Sequence, residues 1–321
     1  MKKLFAALCL AAPLLQPMPS AAADWPSQSL RWLVPYPAGG GSDFLARTIG
    51  QSLSTRIDQA VVVENKPGGN TGIAASEAAR AAADGHTMVS ADNGTLVFNP
   101  ALYQKLVYDV KDLAPVTLMG RFPMILVTSP ELPAKDLAEF TALVKNSANG
   151  FNYASAGAGS PHHLAMELFR TQAKLDMTHA PYRGAAPALS DVASGQVPAM
   201  MVDLAAGAGF IRSGKVRPLA VAHSQRLAQL PEVPTFAELG LQGVEAAALV
   251  GLAVPAATPK DTIAALNRAV VETIRDPQVE KKLIEFGIEP VGNTPEEYAA
   301  LLESETTRWH QLIRDLGISL D

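Results

Sequence analysis

The chain has 321 residues, a length typical of about two domains. Hydrophobic residues make up 48% of the sequence and charged residues 18%, a globular balance that excludes long intrinsic disorder. The net charge of −5, the aromatic content of 6% and the single cysteine argue against a nucleic-acid-binding surface, a disulfide framework and a Cys-based zinc cluster.

The N-terminal segment, 1–23, has the pattern of a secretory signal peptide. Two lysines precede an apolar run over 4–15, and Ala21 and Ala23 supply the small residues of a cleavage site after Ala23. Cys9 lies inside this segment. A buried N-terminal helix is the alternative interpretation. We expect export of the mature chain, with a bacterial periplasm as its destination.

Short apolar runs alternate with helical patterns along the rest of the chain. The patterns predict strands at 30–34, 61–63, 87–91, 151–155, 198–204 and 217–222, with further apolar stretches at 116–119 and 124–127. They predict helices at 44–53, 73–83, 135–147, 161–173, 261–275 and 295–316, the last opened by a capping box at Thr294. This alternation predicts a parallel α/β sheet, and its restart near residue 125 predicts two α/β lobes.

Two glycine-rich loops, each between a predicted strand and a predicted helix, are the most informative feature. The first loop, 35–43, reads PYPAGGGSD, and the second loop, 156–161, reads AGAGSP. We expect Ser42 or Asp43 to cap the first helix, and Ser160 to cap the second. Glycines let backbone N–H groups face one concavity, and a helix N-terminus adds free donors and a partial positive charge, which together favour a bound anion.

The paired loops predict a ligand cleft. In open α/β sheets ligands lie at the carboxyl ends of strands, where both loops fall, so we predict a cleft that holds a carboxylate or dicarboxylate. The alternative is that such turns serve only as tight connections, and we prefer this interpretation for a third glycine turn, 67–71.

Neither loop fits a nucleotide site. The segment 209–215 matches G-x-x-x-x-G-K, but Val216 follows where Ser or Thr is needed, and the preceding residues look helical.

Several motifs recur in the order that is typical of one family. They are Pro35-x-Pro-x-Gly-Gly-x-x-Asp43, Val63 to Gly69, Asn99-Pro100, Tyr153 to His163, Pro181-Tyr182-Arg183-Gly184 and Leu230 to Thr235. On these motifs the chain resembles the substrate-binding proteins of tripartite tricarboxylate transporters, the TctC-like or Bug-type periplasmic receptors. The resemblance covers essentially all of the mature chain.

The resemblance implies an α/β, two-lobed type II periplasmic binding-protein fold (Venus flytrap), with the ligand in the interlobe cleft. We expect lobe 1 to comprise 24–123 and 240–321, and lobe 2 to comprise 124–239. The resemblance also implies that ligand-binding residues lie on both glycine loops and near them. These are Tyr36, Ala38, Gly39, Gly40, Ser42, Asp43, Asn93, Thr95, Ala156, Gly157, Gly159, Ser160, His163, Asp203 and Leu249. Leu249 stands where many relatives carry Trp, which implies a wider cleft wall or a different ligand class.

The implied function is a periplasmic receptor for a small organic acid, with a membrane permease of the tripartite tricarboxylate type as its partner. A mono- or dicarboxylate, an acidic amino acid and an aromatic acid all remain open as ligands. We expect a monomer without cofactor, metal or nucleic acid. Input to a membrane sensor kinase is one alternative. A secreted serine hydrolase using Ser160 is another, but the G-x-S-x-G elbow is absent and His163 is better placed to orient the loop.

Overall fold

The computed structural model describes residues 25–148 and 150–321. The predicted signal peptide and Cys9 lie outside these residues. The first part of the chain alternates strands and helices as predicted, in the order β1 (Leu30–Val34), α1 (Gly41–Ile57), β2 (Val61–Asn65), α2 (Gly72–Ala79) and β3 (Thr87–Asp92). Helix α1 buries Leu45, Ile49 and Leu53, the apolar face that the sequence predicts. Helix α2 ends before the predicted Ala83, because the chain turns where the Ala81 N–H bonds the Ala78 carbonyl.

An irregular segment leads from β3 into one long strand. It contains a π-helical turn (Gly94–Phe98), α3 (Asn99–Leu102) and a 3-10 turn (Val110–Asp112). The two apolar stretches predicted at 116–119 and 124–127 belong to a single strand, β4 (Leu113–Thr128). This strand is almost wholly buried along its length, because neighbouring strands and helices cover both of its faces.

The alternation then restarts, as predicted. The elements are α4 (Leu137–Lys145), β5 (Asn152–Ser155), α5 (Pro161–Gln172), β6 (Thr178–Pro181), α6 (Ala185–Ala193), β7 (Ala199–Asp203), α7 (Leu204–Arg212) and β8 (Arg217–Val221). The chain finishes with β9 (Ala247–Pro255), α8 (Lys260–Ile274), α9 (Pro277–Glu285), β10 (Glu289–Pro290) and α10 (Pro295–Asp315).

The strands join in the order β2-β1-β3-β9-β4-β7-β5-β6, with β8 and β10 also paired to β4. The predicted parallel pairing holds for β2-β1-β3 and for β7-β5-β6. It is wrong in the middle of the sheet, where β9 runs antiparallel to β3 and β4, and β4 runs antiparallel to β7 and β8. The reason is that β4 and β9 link the two parallel groups and enter them without a crossover helix.

The pairing of β4 changes along its length. Residues 113–123 pair with β9, whereas residues 124–128 pair with β7 and β8. We therefore call β1, β2, β3, β9, β10 and the first part of β4 the first sheet, and β5, β6, β7, β8 and the last part of β4 the second sheet.

Helix α10 fastens the C-terminus to the first sheet. Its predicted capping box forms: the Thr294 hydroxyl accepts the Glu297 N–H, and the Glu297 carboxylate accepts the Thr294 N–H. Farther along, Trp309 packs edge-on against Phe98, with ring centroids 5.2 Å apart. Within residues 25–148 and 150–321, no helix has the length and apolarity that a membrane crossing requires.

Candidate ligand-binding site

The first glycine loop ends at an uncapped helix. Helix α1 begins at Gly41, and the residue before it, Gly40, is extended and contributes no side-chain cap. The prediction that Ser42 or Asp43 caps this helix is wrong, since both lie inside its first turn. The Asp43 carboxylate instead reaches back outside the helix and accepts the Gly39 N–H at 2.9 Å.

This arrangement leaves donors free at the start of α1. The N–H groups of Gly41, Ser42 and Asp43 donate to no other described residue, and the first helical bond is that of Phe44 to the Gly40 carbonyl. The Ser42 hydroxyl is buried and has no partner among the described residues. A 17-residue helix with an open N-terminus offers an anion both hydrogen bonds and a favourable dipole.

Hydrogen bonds to the Asp43 carboxylate fix the conformation of the first loop. Asn65 donates to its Oδ1 at 2.8 Å, and Arg47 donates to the same oxygen at 3.0 Å. Burial opposes ionisation of this carboxyl, but the bonds from Arg47, Gly39 and Asn65 hold its pKa below the ordinary value. The Asp43 carboxylate is therefore ionised and already bonded to donors of the protein, and it positions the loop.

The second glycine loop is closed on itself. Ser160 caps α5 as predicted: its hydroxyl accepts the His163 N–H at 3.3 Å and donates to the Gly157 carbonyl at 2.7 Å. The Gly159 N–H donates to Nδ1 of His163 at 3.1 Å, which confirms that His163 orients this loop. Among the described residues the Ser160 hydroxyl bonds no imidazole nitrogen, whereas a serine nucleophile is bonded to its general base.

A stack of two histidines supports the second loop. The ring of His163 lies 3.8 Å from that of His179, and His179 Nε2 bonds the Ser155 hydroxyl at 2.6 Å. Burial lowers the pKa of both imidazoles to about 4. His163 is therefore neutral at ordinary pH, which leaves its Nδ1 free to accept from Gly159.

The loops of the first sheet touch the second sheet at two places. A Cβ built on Gly41 would lie 2.7 Å from the Phe122 ring and 3.5 Å from Cβ of Ala205, in the first turn of α7. A Cβ built on Gly159 would lie 2.7 Å from Leu102 and 3.2 Å from the Asn70 amide nitrogen. The glycine loops therefore lie where the two sheets face each other.

The third glycine turn, which we interpreted as a plain connection, takes part in this contact. Asn70 and Thr71 both have positive φ, 46° and 74°, although Thr is β-branched and rarely adopts this conformation. Thr71 accepts the Thr95 hydroxyl, and the same hydroxyl lies 2.8 Å from Asp92 Oδ1. Sequence reasoning missed Asn70 and Thr71, and the Gly-Gly-Asn-Thr run was the available signal.

Several predicted site residues are buried or partly buried and are bonded within the protein. The Tyr36 hydroxyl donates to Asp92, and burial together with that carboxylate raises the pKa of Tyr36 well above its usual range. The Asn93 amide donates to the Ala247 carbonyl and accepts the Leu249 N–H, so it fastens the π-helical turn to β9. Direct ligand contact by Tyr36, Asn93 and Leu249 stays a prediction.

Asp203 ends β7, as the sequence predicts, and caps α7. Its Oδ1 accepts the Ala206 N–H at 2.9 Å, and its Oδ2 bonds His162 Nε2 at 2.9 Å. Burial opposes its ionisation, yet these bonds hold its pKa below the ordinary value. His162 stands next to His163 after Ser160, and sequence reasoning gave it no role in the site. Among the described residues, no group of three His, Cys, Asp or Glu side chains is arranged to hold a metal ion.

The fold and site define a class of protein. The chain is similar to the solved structure of R. palustris Rpa4515 with adipate, at 33% identity and a TM-score of 0.86 over 92% of this chain and 100% of that chain. It is also similar to MatC (Rpa3494) from Rhodopseudomonas palustris with bound malate, at 32% identity and a TM-score of 0.81 over 90% and 100% of the two chains. The fold is that of a two-lobed type II periplasmic binding protein, with the cleft between its lobes.

The family follows from the sequence comparison. A sequence model described as Tripartite tricarboxylate transporter family receptor matches residues 45–318, and the chain belongs to this family. It is 33% identical over 304 residues to Protein BugT of Bordetella pertussis (strain Tohama I), covering 94% of this chain and 93% of that protein. The family comprises receptors for small carboxylates that work with tripartite transporters, and membership implies a periplasmic location.

Proposed function

We propose that this chain is the receptor that captures a small organic acid in the periplasm and delivers it to a tripartite tricarboxylate-type permease. One carboxylate of the acid binds the open N-terminus of α1, and the second lobe closes over it. The observation that carries this proposal is that the N–H groups of Gly41, Ser42 and Asp43 and the buried Ser42 hydroxyl have no partner within residues 25–148 and 150–321.

The lobes that close are, in this proposal, residues 24–123 with 240–321, and residues 124–239. The change of partners along β4 supports this division, since residues up to Pro123 pair with β9 and those from Met124 pair with β7. The strand would then carry the hinge. Contacts of Gly41 with Ala205, and of Gly159 with Asn70, would be made on closure and lost on opening.

The second loop has a different task in this proposal. Its N–H groups at Gly159, Ser160 and His163 bond within the loop, so few remain for the ligand. The backbone N–H groups of Ala158 and His162 bond nothing in the described part of the chain, which suits a second, weaker polar contact. We infer that this loop forms a rigid wall against which the acid is held.

Gly40 gives a direct test, because it occupies the N-cap position in an extended conformation. In Gly40→Asp the new carboxylate would accept the N–H groups of the first turn and repel an incoming anion. The fold should be retained, since Asp is among the best N-cap residues. We expect affinity for malate, succinate and adipate to fall at least about 100-fold in isothermal titration calorimetry.

Two matched variants control this test. In Gly40→Ala the new Cβ meets nothing closer than the Pro37 carbonyl oxygen at 3.8 Å, so binding should stay within about threefold of the wild type. Gly40→Asn, a neutral cap, should give an intermediate loss. Unchanged affinity in a folded Gly40→Asp protein would overturn the proposed carboxylate site.

A further inference from the structure

The segment that follows α10, residues 316–321, contacts the second glycine loop. A Cβ built on Gly159 would lie 2.8 Å from Cδ1 of Leu320 and 2.7 Å from Cδ1 of Leu102, and the Asn70 amide nitrogen would lie 3.2 Å away. Asn70 and Leu102 belong to connections of the first sheet, whereas Gly159 follows β5 of the second sheet. This meeting of three side chains with one glycine, which we call the Gly159 contact, therefore joins the two sheets.

Hydrogen bonds fix Leu320 in place for this contact. Its N–H donates to the Leu102 carbonyl at 2.9 Å, and the carboxylate of Asp321 accepts the Gln104 N–H. The side chains of Leu320 and Leu102 also pack in the same apolar cluster. Since Leu320 is already ordered on the first-sheet side, contact with Gly159 costs it little conformational entropy.

Asn70 is held on the same side by reciprocal bonds. Its amide donates to Asn99 Oδ1 at 2.8 Å, and the Asn99 amide donates to the Asn70 carbonyl at 2.7 Å. Asn99 is fully buried, and its amide also donates to the Tyr108 hydroxyl at 3.1 Å. The Asn70 side chain is therefore ordered by the first-sheet side as well.

Glycine is the residue that fits the other side of the contact. Gly159 has a φ of +74°, a left-handed conformation that favours glycine. Any side chain at this position would also press on both leucines, because its Cβ would come within 2.8 Å of each. The surface formed by Asn70, Leu102 and Leu320 thus receives the bare backbone of the loop.

The Gly159 contact lies farther from the proposed hinge than the contact of Gly41. Phe122, which faces Gly41, stands two residues before Met124, where β4 changes its partners. In the second sheet β7 lies between β4 and β5, and Gly159 follows β5. A rotation of the second lobe about β4 therefore displaces Gly159 more than it displaces Ala205, which follows β7.

Resting on the proposed function, we propose that the segment 316–321 is a closing device of the receptor: Leu320, together with Leu102 and Asn70, binds the second glycine loop at Gly159 and slows release of the acid. Apolar contact between the leucines and the loop stabilises only the closed form, because opening removes it. A contact made after the acid has entered acts on the release rate more than on the capture rate.

Leu320→Ala tests this role. Release of malate, succinate or adipate, measured by stopped-flow fluorescence, should become about three- to tenfold faster, while the association rate stays within about twofold. The control is Leu301→Ala, which trims another half-buried leucine that packs against the same apolar cluster from α10. This control should release each acid at the wild-type rate. Equal release rates in the wild type and both variants would overturn the proposal.

Asn70→Gly tests the polar part of the same contact. Glycine accepts the φ of 46° found at this position, so the turn is kept while the amide that meets Gly159 is removed. Release should again be faster, by at least about twofold. Urea denaturation shows whether each variant is folded. If Leu320→Ala is not, Asn70→Gly decides, and an unchanged release rate contradicts the proposal.

Failure of this inference is distinct from failure of the proposed function. If Leu320 has no such role, Leu320→Ala releases the acids at the rate of Leu301→Ala, and Gly40→Asp still abolishes their binding. If the carboxylate site at α1 is wrong, Gly40→Asp leaves the binding of every acid unchanged.

Discussion

The two glycine loops look alike in sequence, because each joins a strand to a helix through glycines and a serine. In the structure they differ in how their donors are used. The first loop gives the start of α1 no side-chain cap, and the Ser42 hydroxyl has no partner in the described part of the chain. The second bonds its donors internally through Ser160 and His163. Loops of similar sequence therefore differ in the use of their donors, and in our proposal the first loop binds the ligand while the second is a rigid support.

The largest expected difference between the loops concerns their glycines. Gly159 has φ +74°, and a Cβ there would press on Leu102 and Leu320 at 2.7 and 2.8 Å. Gly159→Val should lower the free energy of unfolding by about 3–4 kcal/mol, whereas Gly40→Val should cost about 1 kcal/mol. Urea denaturation of both variants measures these free energies. Equal losses of stability in the two variants would contradict the difference between the loops.

A pH titration tests the support of the second loop. The folded pKa of His163 and His179, about 4, lies below the ordinary 6.5, so the unfolded chain binds more protons between these values. The free energy of unfolding should therefore fall as the pH drops from 7 to 5, by about 2–3 kcal/mol for the two residues together after allowance for the partial exposure of His179.

The double variant His163→Phe/His179→Phe controls this titration. It keeps two stacked rings but cannot be protonated, so its stability should depend less on pH over the same range. Glu167 and Arg170, which also act on the pKa of the wild-type His163, are present in both proteins and do not by themselves produce a difference between them. Parallel pH profiles for the wild type and the double variant would exclude the histidine stack as the cause.

The two serines give the smallest and most specific contrast. Ser160→Ala removes a helix cap and should cost about 1 kcal/mol of stability, with acid binding within threefold of the wild type. Ser42→Ala removes a hydroxyl without a partner among the described residues, so stability should hold or rise slightly while acid affinity falls about tenfold. Calorimetric titration measures the affinity of each variant, and urea denaturation measures its stability. An affinity loss in Ser160→Ala together with a stability loss in Ser42→Ala would contradict the roles given to the two loops.

The sequence predicts the local parts of this molecule well. The strand before each glycine loop, the Ser160 cap and the Thr294 capping box all depend on neighbouring residues, and all form. The family motifs also predict the two-lobed fold, which the similar structures confirm.

What the sequence did not predict depends on partners far along the chain. Asp43 does not cap α1 because the helix begins two residues earlier, at Gly41, and its carboxylate bonds Asn65 and the Gly39 N–H instead. The buried hydrogen bond of His162 could not be predicted from its neighbours, because its partner Asp203 lies 41 residues away. The antiparallel centre of the sheet likewise needs β9 to return beside β3 and β4, and no local pattern encodes that return.

The most direct measurement is a crystal structure of the protein with malate. The account predicts one carboxylate within about 2.7–3.1 Å of the N–H groups of Gly41 to Asp43, and in contact with the Ser42 hydroxyl. A carboxylate held instead by the second loop, with the start of α1 bonded only to water, would contradict the central claim that the open first loop is the anion site.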